Sequence, residues 1–174
     1  MTPGVVAEYV AVKEATATLT RALLSIQAAD ATVNQLIAER GGPARTKALA
    51  QGAELAWNNV EVVLNGFTGA QALVVPGLAK TVGAYKSLAV SWQHGAEILV
   101  KNGGRSPKGE TMQSLLGPLQ RREVAMRPSL TKLAAAIAGR TCALQNAHHQ
   151  LAVTKAIVQS CGTAHQLSQQ AGSG

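Results

Sequence analysis

Few residues in this sequence could carry chemistry, and their spacing decides against most of it. Asp30 is the only aspartate, and no carboxylate side chain follows Glu123. Acid–base and nucleophilic catalysis set a carboxylate beside a His, Ser or Cys. Asp30 falls instead on an apolar stripe at helical spacing, Leu19, Leu23, Ile26, Asp30, Val33, Ile37. A charge there costs free energy unless it is paired. It reads as a register-setting polar position, expected to meet an Arg, Lys or Ser of a facing helix.

The histidines are His94, His148, His149 and His165. A di-metal bundle needs carboxylates on several helices together with Glu-x-x-His pairs, whereas His94-Gln-Gly-Glu97 runs in the reverse order on one helix. Cys161 and His165, four apart, share a helical face and have the spacing of two metal ligands, but nothing in the sequence supplies the rest of a site. No metal and no cofactor is expected. Cys142 and Cys161 read as small core-facing hydrophobes. On one straight helix they stand about 28 Å apart, too far to pair, which fits a reducing compartment. The glycine pairs Gly41-Gly42 and Gly103-Gly104 follow no strand and lack the Gly-Lys-Ser/Thr ending of a phosphate loop.

Charge is the other chemical signal. Seven basic and seven acidic residues cancel over residues 1–97, whereas residues 98–174 hold nine basic residues against Glu110 and Glu123, and so carry the whole net charge of +7. Lys101, Arg105, Lys108, Arg121, Arg122 and Arg127 are the candidate phosphate or anion contacts, because they flank the loop at Asn102–Gly109 and an interrupted stretch around Gly117-Pro118. No aromatic residue follows Trp92. A nucleic-acid contact by this half would therefore run through phosphates alone, without base stacking and with strong salt dependence.

The elements that position these residues are helices. Apolar residues step by three and four throughout, and no segment alternates by two. Five aromatics in 174 residues leave the core to Ala, Leu, Val and Ile. The spacing predicts helices over about 4–40, 44–65 and 69–101, the last kinked near Pro76. An irregular stretch of short pieces follows over 110–126, then a helix over 128–168 opened by Pro128 at its first turn, and a polar tail over 169–174. The second stripe is Leu49, Ala53, Ala56, Val60, Val63, Phe67, and the third is Leu78, Val82, Tyr85, Ala89, Trp92, Ala96, Leu99. The expected fold is all-α, a single elongated bundle of four to five helices with long first and last members.

A second helix shorter than the first and last leaves part of their stripes uncovered, which invites a neighbour. The expected function is structural: a non-enzymatic scaffold that assembles with itself or docks partner helices, with no small-molecule substrate. The alternatives are a virion coat or packaging protein whose basic half contacts a nucleic-acid backbone, and a peripheral amphipathic-helix protein on an anionic membrane or granule surface. The Ala-, Thr- and Gln-rich, aromatic-poor helices are similar in composition to talin- and vinculin-type rod bundles and to internal virion proteins of tailed phages. No motif accompanies that likeness, so no site is carried over. With no leader-like N-terminus and no apolar run of membrane-spanning length, a cytoplasmic or virion-associated location is expected.

Overall fold

In the computed structural model, helix α1 runs over Pro3–Ala38 and helix α2 over Pro43–Leu64. The structure describes residues 3–159, with side-chain surroundings for 4–147 and for His149. Between α1 and α2, Gly42 has φ 106° and Pro43 stands in the first turn of α2. The ring presets the helical φ, and its missing N–H is one that a first turn leaves unpaired anyway. A short helix, α3 (Gly69–Val74), follows and is opened by a capping box in which Thr68 and Gln71 exchange side-chain and backbone hydrogen bonds. Pro76-Gly77, with Gly77 at φ 80°, then separates α3 from α4 (Leu78–Lys101). The last helix, α5, spans Met112–Gln159. All described regular structure is helical.

Helix α2 packs against α1 and α4, and α5 lies across the other side of both. The result is an up-down-up-down bundle in the order α1, α2, α4, α5. Trp57 of α2 and Trp92 of α4 stack at its centre, with ring centroids 5.7 Å apart and planes 10° from parallel. With Tyr85 they are the largest fully buried side chains. The core is thus built around three of the few aromatics as well as the small aliphatics.

The third stripe lies buried along its full length, from Leu78 to Leu99. The first is displaced from its expected position. The buried face of α1 centres on Ala11, Ala15, Ala22 and Ala29, flanked by Val12, Leu19, Ile26 and Val33, whereas Leu23 is 39% exposed. Alanine lets neighbouring backbones approach most closely, and a straight helix of 3.6 residues per turn drifts off a 3.5-residue stripe.

The stretch over 110–126 is also corrected: α5 is one continuous helix, and both Pro118 and Pro128 lie inside it. Pro128 does not begin a helix. Each proline removes one backbone hydrogen bond, but both side chains are exposed, so the carbonyls freed by them face water. The buried side runs on past them as Met112, Leu116, Leu119, Glu123, Met126, Leu130, Leu133, Ile137 in unbroken steps of four and three. The expected end near residue 168 and the polar tail lie outside the described residues.

The turn from α4 to α5 closes on backbone geometry. Gly103 N–H donates to the Val100 carbonyl and Gly104 N–H to the Leu99 carbonyl, at 3.2 and 2.8 Å, and both glycines have positive φ. That is a Schellman ending. Gly104 also lies so close to the Pro43 carbonyl that any side chain there would overlap it.

Candidate functional site

Asp30 on α1 and Glu123 on α5 face each other across one wall of the bundle. The polar partner of Asp30 is therefore a second acid rather than the expected base or serine. Glu123 is 3% exposed, and its carboxyl is hydrogen-bonded to Asp30. Arg127, one turn further along α5, places its guanidinium 3.6 Å from Glu123 Oε2. The phenol of Tyr85, from α4, completes the group; it too is buried, and its hydroxyl is unpartnered among the described residues.

Burial dominates the electrostatics. It pushes the Glu123 carboxyl up to about 8; the hydrogen bond and the charge of Asp30 add to the rise, and Arg127 opposes it. The physical cause is plain: a carboxylate removed from water beside a second carboxylate holds its proton, because one proton shared between two acids replaces a repulsion with a hydrogen bond. Burial, followed by the charges of Glu123 and Asp30, pushes the Tyr85 phenol up to about 12. At neutral pH the group consists of Asp30, a protonated Glu123, Arg127 and a neutral phenol.

A groove of about 540 Å³ opens over this cluster between α1 and α5, walled by Leu23, Leu24, Ile26 and Leu130. Tyr85 forms part of a second cleft, of about 460 Å³, on the other side of α5, between that helix and α4. Helix α5 is thus the least closely packed member of the bundle. Glu123 was legible in the sequence as the polar member of the stripe from Met112 to Ile137. The two prolines hid that stripe.

The six candidate anion contacts do not come together in one surface. Lys101 pairs with Glu97 at 2.7 Å, and Arg105 and Lys108 stand exposed on the loop after α4. Arg121, Arg122 and Arg127 sit on continuous helix rather than on flexible turns. Arg121 is exposed. Arg122 donates to Ser91 Oγ and Ser87 Oγ of α4 at 3.2 and 3.0 Å, tying α5 to the bundle, and Arg127 is turned to Glu123. His94 is exposed, and Cys142, expected to face the core, lies instead on the exposed face of α5. Cys161 and His165 lie outside the described residues.

Past the four-helix body, α1 and α5 continue together, joined by an ion pair between Glu8 and Arg140. Val6 and Val10, 44% and 46% exposed, form the uncovered side of α1 there. The antiparallel run brings α1 to its described start at Pro3 a little over one turn beyond Glu8, whereas α5 runs on to Gln159. About 20 Å of α5 therefore overhangs the start of α1. No helix of the described residues is long and apolar enough to cross a membrane. No family model, curated protein or solved structure matches the chain.

Proposed function

We propose that this protein is a non-enzymatic scaffold that assembles with a second copy of itself through the projecting ends of α1 and α5. The observation that carries this is the overhang of α5. An isolated helix of about fifteen residues is marginal in water, and its sequence keeps an apolar stripe, Ala147, Leu151, Thr154, Val158. A second copy, turned end to end, offers what the overhang lacks: a two-helix stalk with Val6 and Val10 uncovered. Two overlapping stalks make a local four-helix bundle, and one two-fold operation serves both copies. The phosphate-backbone alternative is less favoured, because Lys101, Arg122, Arg127 and Arg140 are each engaged by groups of the chain itself.

Light scattering on the eluting peak of a size-exclusion column tests this, with the ratio of nucleic-acid to protein absorbance recorded. The expected outcome is a nucleic-acid-free dimer that Leu151→Glu converts to monomer with the helical circular dichroism retained. A wild-type monomer at high concentration would contradict it.

A further inference from the structure

We propose that the cleft between α4 and α5 is a binding site for a small amphipathic anion, an aliphatic chain lying along the helices with its anionic head group held by Lys80 and Lys132. The cleft holds about 460 Å³, in the range of small-molecule pockets. Polar side-chain ties between the two helices lie to one side of it: Arg122 of α5 donates to Ser87 Oγ and Ser91 Oγ of α4. From there towards Pro76-Gly77, no side-chain hydrogen bond or ion pair among the described residues joins them. Ala84 and Ala136 line this part with side chains too short to fill it, over a floor of Tyr85, Met126 and Leu133. Tyr85 and Leu133 are buried members of the core, so the floor is held in place and offers contact to hydrocarbon.

Charge selects the head group. Lys80 of α4 and Lys132 of α5 stand exposed, one on each wall of the cleft. The stretches that supply the walls, residues 62–96 and 124–159, contain Lys80, Lys86, Arg127, Lys132, Arg140 and Lys155 and no carboxylate side chain. Arg127 and Arg140 are met by acids from outside these stretches, Glu123 and Glu8. Lys80 and Lys132 have no ion pair among the described residues. Two ammonium groups without an acid, on either side of an apolar floor, attract an anion and give it charge-assisted hydrogen bonds. An inorganic anion would leave the floor bare, and a neutral alcohol would leave the lysines unpaired. An anion on a hydrocarbon chain answers both, with the lysine stems lying along the chain and their ammonium groups at its head. The site goes beyond the scaffold role and does not depend on the stalk overlap.

The test is calorimetric titration of the full chain with sodium octanoate below its micelle concentration, with octan-1-ol as the neutral isostere, octylammonium as the opposite charge and octyl phosphate as a second head group. The expected result is one saturable octanoate site per chain, with octanol at least tenfold weaker and octylammonium weaker still. Affinity should rise roughly threefold to fourfold per methylene from butanoate to octanoate and fall with added salt. If octyl phosphate competes more tightly than octanoate, the preferred head group is a phosphate; otherwise it is a carboxylate. Combining Lys80→Met with Lys132→Met should reduce octanoate to the affinity of octanol. Ala84→Leu, at an exposed position, should block the cleft with an unaltered circular dichroism spectrum, and Lys108→Met, on the loop after α4, should change nothing. No saturable binding, octanol as tight as octanoate, or octanoate binding undiminished in the double lysine variant would each overturn the proposal.

Discussion

Burial makes Glu123 a pH-responsive group of the fold. Its carboxyl titrates near the ordinary 4.5 in the unfolded chain and near 8 in the folded one, so between those values the folded state binds the extra proton. Stability from this group is fully present below about pH 4.5, falls as pH rises through that window, and is gone above about pH 8. We expect the melting temperature to decline between pH 5 and 9, and Glu123→Gln to flatten that decline. At the alkaline end the variant should be the more stable by on the order of 1–3 kcal/mol. Parallel pH slopes for the two proteins would place the titrating group elsewhere. At this scale the sequence was half legible. Asp30 stood out as a charge in an apolar stripe, but its partner is an acid because the facing stripe carries Glu123 at the matching level, and spacing along one helix says nothing of what stands on another.

The helices show why some stripes could be read directly and others could not. In α4 the large apolar residues are themselves the buried ones, from Leu78 to Leu99. In α1 the alanines define the contact face and the larger residues flank it, so the stripe of large residues lies off centre. Ile26→Ala should therefore cost about 2–4 kcal/mol in denaturant unfolding, whereas Leu23→Ala should cost under about 1 kcal/mol. Equal costs would restore the symmetric stripe. In α5 the prolines suggested breaks, yet both lie on the water side, where a lost hydrogen bond is replaced by solvent. Pro128→Ala should accordingly stabilise the protein by about 1–3 kcal/mol, and a loss of stability would mean that the proline shapes the helix around the acid pair.

For the whole molecule, unequal helix lengths matter most. Helices of 36 and 48 residues flank partners of 22 and 24, so the bundle necessarily ends before its two longest members do. That inequality was visible in the sequence, because the stripes of the first and last segments outrun the others. The four-helix order and the overhang were not, since both depend on where α5 starts and how it lies against α1. The self-assembly account rests on the overhang being covered by a second copy. Amide hydrogen exchange over residues 145–159, measured across a range of protein concentrations, tests this most directly. The account predicts fast exchange in dilute protein and slow exchange as concentration rises, with Val6 and Val10 amides following the same dependence. Exchange over 145–159 at the rate of an isolated helix at every concentration would contradict it.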